Sequence, residues 1–330
     1  MKHIKSLISI ILLALVALAT GCHIAKMADD EHEEWHFIVV GDSRGNDAGV
    51  NTEILSEIAA EIVRSKPAFV LFPGDLVTGN RNNDETHRAQ LTQWRETMQP
   101  VYDTGIEVYP VRGNHDRGSK ETGLGIWNNI FSGPYAMPDN GPAGEKNLTY
   151  SVTHNNAIII ALDQYSTNGQ KNNQAWLDTQ FASSGLPHVF VMGHEPAFSV
   201  KHKDCLDDNV EQRNEFLDSI TRKGGRMYFC GHDHFYDHLL ADHDGDPSND
   251  IHQFIVGTTG APIYTYDGNY AGDNEPYALT HIAGAAKHGY LTVSVNGTDV
   301  TTTWVERIGE KDYQPRDTWS YSTTGCLPAE

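Results

Sequence analysis

Apolar residues gather along this chain into short runs dense in Val, Ile and Phe, at positions 37–40, 69–72, 108–111, 158–162, 189–192, 227–230 and 254–256. Runs of that length without polar alternation predict strands buried on both faces, the pattern of parallel sheets covered by helices. Helical patterns lie between them. Asn51 stands as an N-cap before Ile54, Leu55, Ile58 and Ile62, which share one helical face. Leu91, Trp94 and Met98 mark a second helix, which Pro100 is expected to end. Residues 210–223 predict a third, with Leu217 and Ile220 inward and Gly224 as its stop. From about 289 to 305 the alternation predicts a hairpin, with Asn296-Gly297 as a type I′ turn signal. Strand–helix alternation places the chain in the α/β class. With no repeat and no linker after residue 36, one domain is expected.

The residues just past the strand ends carry the chemistry. The five motifs in chain order are Gly41-Asp42-Ser43-Arg44, Gly74-Asp75, Gly113-Asn114-His115-Asp116, Gly193-His194-Glu195 and Gly231-His232-Asp233-His234, each directly after an apolar run or one residue beyond it. Sites in open α/β sheets lie outside the carboxyl ends of the strands. Glycine at each turn lets the backbone come close to such a site. Mixed Asp, Asn and His ligation suits manganese, iron or zinc; it is too rich in nitrogen for magnesium and lacks the thiolates of a structural zinc knot. The segment 257–260 offers further glycine room after a strand.

The order GD, GD, GNHD, GH, GHDH resembles the calcineurin-like metallophosphoesterase superfamily, which includes the purple acid phosphatases, over about residues 36–305. The resemblance implies an α/β fold, a four-layer α/β/β/α metallophosphoesterase sandwich in one domain, here 36–308. It also implies two divalent or transition metal ions and hydrolysis of phosphomonoesters or phosphodiesters by a hydroxide bridging them. Carried over by motif, Asp42 and His234 would bind the first metal, Asp75 would bridge, and Asn114, His194 and His232 would bind the second. His115 would lie near the leaving group as general acid or transition-state stabiliser, oriented by Asp116. Two positions depart from the pattern. Relatives carry His where Arg44 stands, and purple acid phosphatases carry Tyr where Thr78 stands, so a purple iron centre is not expected. Arg44 cannot ligate a metal. It is expected beside the first metal with its donors toward phosphate oxygens, a salt bridge to a neighbouring acid being the alternative.

The N-terminus changes the picture. Lys2 and Lys5 precede an apolar run that breaks at Thr20-Gly21-Cys22, predicting a signal peptide over 1–21. The junction resembles a bacterial lipobox, with Cys22 lipidated, 22–35 a polar tether, and the protein exported as a cell-envelope lipoprotein at the periplasmic face or cell surface. Plain periplasmic or secreted export is the alternative. Residues 309–330 are expected as a C-terminal tail. The chain of 330 residues carries 24 basic against 44 acidic residues, a formal charge of -20. No Lys/Arg stripe suggests a nucleic-acid surface. The partners expected are a phosphate-ester substrate and, through the anchor, a membrane. In an exported protein Cys205 and Cys326 could pair or stay free, whereas Cys230 ends a strand and suits the core. Asp242, Asp244 and Asp246 imitate a calcium loop but lack its Gly and terminal Glu, so a solvated loop is expected. Trp127, Tyr264 and Tyr266 could line a substrate wall or pack, and His281 and His288 are read first as ordinary histidines. Two other functions stay open: a surface-anchored binding protein with a structural or degenerate metal site, and a hydrolase of sulfate or non-phosphate esters.

Overall fold

Two sheets stack face to face, each built around a parallel core. The computed structural model describes residues 34–45, 48–166 and 171–323. The predicted signal peptide, Cys22, nearly all of the tether and Cys326 lie outside the described residues.

From β1 (Trp35–Val39) the chain passes through α1 (Thr52–Ser65) to β2 (Phe69–Pro73), then through α2 (Asp84–Tyr102) to β3 (Glu107–Val111). These three strands pair in parallel. After α3 (Gly123–Ile130) a second sheet opens with the antiparallel β4 (Tyr150–His154) and β5 (Ala157–Ala161). It continues through α4 (Gln174–Ser183), β6 (His188–Met192), α5 (Val210–Arg222) and β7 (Met227–Cys230), then β8 (Tyr236–Asp242), β9 (Ile251–Val256) and the edge strand β10 (Ala278–Ala285). The chain then returns to the first sheet with β11 (Gly289–Asn296), antiparallel to β1, and meanders outward through β12 (Asp299–Gly309) and β13 (Asp312–Ser322). The first sheet runs β13-β12-β11-β1-β2-β3 and the second β10-β8-β9-β7-β6-β5-β4.

Side-chain alternation divides the second sheet between two cores. Ile159, Ala161, Phe190, Met192, Met227 and Phe229 face the first sheet. Their neighbours Ile158, Ile160, Val189, Val191, Tyr228 and Cys230 join Leu177 and Phe181 of α4 and Phe216, Leu217 and Ile220 of α5. The four-layer sandwich that the resemblance implies is therefore the fold seen. Between the sheets, the Phe37 ring lies 5.0 Å from both Phe69 and Phe190 and 6.0 Å from Phe229.

Asn51 caps α1 as expected, accepting from the Ile54 N–H. Four boundaries differ from the sequence reading. Pro100 does not end α2, which runs on to Tyr102; Glu96, whose carbonyl the proline leaves unpaired, is exposed, so water can satisfy it. In the β11–β12 turn the residues between the paired Asn296 and Asp299 are Gly297 and Thr298, and only Gly297 takes a positive φ, 59°. That is the pattern of type II′ rather than I′. Trp35 belongs to β1 and stacks on Phe37, so the tether ends before it. Half of the expected tail is β13. Pro315 hides it in the sequence, but sits at a register shift on the sheet edge, where a missing N–H breaks no ladder.

Replacing Phe37 by Ala should cost about 3–5 kcal/mol, since the ring fills the space between two rigid sheets that cannot collapse onto it. Denaturant unfolding monitored by circular dichroism would show the midpoint fall with little change in slope.

Candidate metal centre

The parallel strands of both sheets end at the same place, and their first loop residues carry the polar groups. β1 leads to Asp42, β2 to Asp75, β3 to Asn114, β6 to His194 and β7 to His232 and His234. The loops are joined by backbone hydrogen bonds: Asp42 N–H to the Gly74 carbonyl (3.1 Å), Ser43 N–H to Asp75 (3.0 Å), Gly231 N–H to His194 (3.0 Å) and Ala261 N–H to Asp42 (2.8 Å). A Cβ on Gly113 would stand 2.1 Å from Asp75 Oδ1, and one on Gly231 2.0 Å from Asp42 Oδ2. Only glycine lets these loops pass so close to the carboxylates. Asp42, Asp75 and His232 themselves adopt positive φ, 56°, 52° and 70°, a costly backbone state for non-glycine residues that gathers at functional sites.

All six predicted ligands come together. Donor atoms of Asp42, Asp75 and His194 lie within 4.8 Å of one another. His194 Nδ1 donates to the Pro73 carbonyl at 2.8 Å, which leaves Nε2 3.2 Å from Asn114 Oδ1 and 3.5 Å from Asp75 Oδ1. Burial pushes this imidazole down to about 4, so Nε2 carries a lone pair at neutral pH. Three acceptors thus face one another with no donor between them, an arrangement that a metal ion satisfies. The His232 ring lies 5.0 Å from that of His194, its backbone N–H donates to Asp42 Oδ1 (3.1 Å), and Asp204 Oδ1 takes its Nε2 at 3.2 Å. That bond leaves Nδ1 as the ring nitrogen a metal could take. These residues fit a metal at the second position.

The first position differs. His234 Nδ1 donates to the Pro262 carbonyl at 3.0 Å, and its Nε2 lies 3.5 Å from Asp42 Oδ1. Arg44 Nε reaches His234 Nε2 at 3.3 Å and Asp75 Oδ2 at 3.6 Å, while Nη2 donates to the Tyr264 hydroxyl at 3.2 Å. The Asp75 contact is a salt bridge of the kind expected as the alternative for Arg44. Burial, and the Asp75 charge beside it, push the Asp42 carboxyl well above the usual carboxylate range.

His115 is half-buried, and its Nδ1 is held 2.7 Å from the Thr78 carbonyl. The expected orientation by Asp116 is not seen. Asp116 is buried and accepts from the backbone N–H groups of Leu76 (3.2 Å), Val77 (3.2 Å) and Gly113 (2.8 Å), which saturates it and ties the Asp75 loop to the Asn114 loop. It positions ligands, and Thr78 orients His115. Tyr264 stands at the site, stacked on His234 with centroids 4.2 Å apart, whereas Trp127 is buried and bonded to the Asn147 carbonyl. Tyr266 is held by Asp237, 2.5 Å away, and His288 by the Thr258 carbonyl. Asp242, Asp244 and Asp246 turn their oxygens onto their own loop N–H groups, as a solvated loop would. Cys230 and Cys205 are both buried, the latter with Sγ 3.5 Å from the His202 carbonyl.

Sequence reasoning missed His202, Asp204, Asp233 and Gln164. Gln164 Oε1 accepts from His194 N–H (2.7 Å) and Glu195 N–H (2.6 Å) and so clasps the loop. Asp233 takes His202 Nδ1 at 2.7 Å, setting that ring 4.2 Å from His232. Asp233 was legible as the middle of GHDH; His202 and Asp204 lie in irregular chain that no strand end announces.

Residues 36–236, more than half of the chain, match the calcineurin-like phosphoesterase family. The chain belongs to that family. The Asp42, Asp75 and His194 cluster marks where a metal centre of this family of phosphoesterases would sit. No curated protein matches the sequence. Among solved structures, a purple acid phosphatase from yellow lupin (Lupinus luteus) is similar with a TM-score of 0.64 at 15% identity, over 88% of this chain and 54% of its own. The metallophosphoesterase thus spans about half the length of that relative. PhoD is similar with a TM-score of 0.63 at 12% identity, over 88% of this chain and 70% of its own. A dimetal phosphatase from Danio rerio is similar with a TM-score of 0.54 at 12% identity, over 88% of this chain and 99% of its own. Likeness at such identities speaks to the shared fold.

Asp116→Ala would strand three buried N–H groups, each costing about 1–3 kcal/mol. The expected result is a clear fall in melting temperature together with weaker metal binding, read by calorimetry and metal titration.

Proposed function

We propose that this metallophosphoesterase hydrolyses phosphate esters outside the cytoplasm, anchored through a lipid on Cys22. What carries the catalytic half is the conjunction of the acceptor cluster at Asp75, Asn114 and His194 with His115 beside it. His115 donates its backbone N–H to Asp75 Oδ1 at 3.0 Å, so the imidazole is built onto the metal loop itself. A purely structural metal site has no need of that imidazole.

Bound metal, for which manganese, iron and zinc suit the ligand set, would polarise the phosphoryl oxygens and lower the pKa of a water. The rest is done by side chains. With Nδ1 donating to Thr78, His115 keeps Nε2 for the substrate and can hand a proton to the leaving oxygen when the ring is protonated. Arg81, donating to the Asn114 carbonyl at 3.0 Å, adds positive charge at the rim of an otherwise acidic protein. The deciding experiment is a panel of chromogenic phosphomonoesters, phosphodiesters and sulfate esters run with each metal. Turnover of phosphate esters alone is expected; turnover of sulfates alone, or of nothing, would overturn the reading.

His115→Ala should retain metal and lose about 10²–10⁴ in kcat on esters with poor leaving groups, with a smaller loss on nitrophenyl esters. Equal losses across the series would remove the proton-donor role. The envelope location rests on the Gly21-Cys22 junction after the apolar run. Cys22→Ala should block lipidation and leave unprocessed precursor, seen by mass spectrometry and detergent partition; normal maturation and detergent-free solubility of both forms would refute the anchor.

A further inference from the structure

We infer that the Arg44 guanidinium takes the place of the first metal, so that this chain holds one ion where the family pattern has two. The inference rests on the metal-centre reading and goes beyond it. The two positions of the centre are built differently. At the second, His194 Nε2, Asn114 Oδ1 and Asp75 Oδ1 turn acceptors on one another. At the first, the corresponding acceptors already have a donor between them.

His234 is the clearest case. Its Nδ1 can only donate to the Pro262 carbonyl, so the neutral ring offers Nε2 as an acceptor, the atom a first metal would need. Arg44 Nε occupies it at 3.3 Å. The same nitrogen lies 3.6 Å from Asp75 Oδ2, the oxygen opposite the one that faces His194. Tyr264 fixes the other end of the fork, its hydroxyl accepting from Nη2 at 3.2 Å while its ring stacks on His234. The guanidinium is thus held on three sides, with only 18% of its side chain exposed. Two carboxylates, Asp42 and Asp75, meet here, and one divalent ion plus the guanidinium outweighs them. Its charge stays on the side of the centre where the first ion would have sat, and its planar donors suit an anion better than they suit a ligand shell.

The test counts ions. Chelated protein is reloaded with manganese and its content measured by plasma mass spectrometry, with electron paramagnetic resonance to report coupling between ions. Wild type is expected to hold one ion per chain with an uncoupled spectrum, and Arg44→His to hold two with a coupled one. Should wild type and Arg44→His hold the same number, whether one or two, the inference is overturned. A second pair works in the wild-type background. His194→Ala should lose the ion, and His234→Ala should keep it, because His234 would ligate only the missing one; loss of the ion in His234→Ala overturns the inference. The ester panel separates this from the hydrolase reading. Phosphatase activity with two ions per wild-type chain keeps the hydrolase and removes the substitution. One ion per chain without activity on any ester keeps the substitution and removes the hydrolase.

Discussion

Asp42 and Asp75 are buried side by side where the two sheets meet, and their mutual repulsion organises the surrounding structure. Two like charges about 4 Å apart at an effective dielectric near 20 repel by roughly 4 kcal/mol, before the cost of removing either from water. The protein answers with donors and cations from every direction. His232 N–H serves Asp42, His115 N–H serves Asp75, Arg44 leans on Asp75, and the facing acceptors of Asn114 and His194 complete a cage for a metal. Function arises from the same demand. A site that must hold positive charge to exist draws anions toward it, even in a protein with a formal charge of -20.

Such a cage requires loops that would not hold themselves. Three of its residues adopt left-handed backbone conformations, which cost about 1–3 kcal/mol each for residues other than glycine. What offsets the strain is the stitching between strand ends: the Asp42 loop onto the Asp75 loop and onto the segment after β9, and Asp116 holding three N–H groups across two loops. Beneath them the aromatic contacts of Phe37 with Phe69, Phe190 and Phe229 fix the sheets against each other. The rigidity of that seam is transmitted directly to the ligands, because each ligand lies within a few residues of a buried strand.

Much of this was readable along the chain. The seven apolar runs became strands because their residues are buried on both faces, and burial on both faces leaves an unmistakable composition. The ligands were readable because glycine and a metal-competent side chain come after the strands in one order. Less visible were β8, β10 and β13, and helices α3 and α4. The edge strand β10 is largely exposed, and β13 carries Pro315, so neither writes a clean pattern.

The boundary between what the sequence by itself determined and what only the tertiary structure decided is one of range. Periodicity, capping at Asn51 and the identity of the ligand residues are local, each set by a few neighbours, and they determined the α/β class and the members of the centre, while the four layers came from the family resemblance of the motifs. Which atoms meet across the seam is not local. Asp116 could bond His115 one residue away or the loop of Leu76 and Val77, and the fold brought it to the latter. Arg44 could face phosphate or an acid, and the positions of His234 and Tyr264, far away in sequence, decided where its nitrogens lie. Side-chain identity limits the partners a residue can accept; only the packing of two sheets brings one of them within reach.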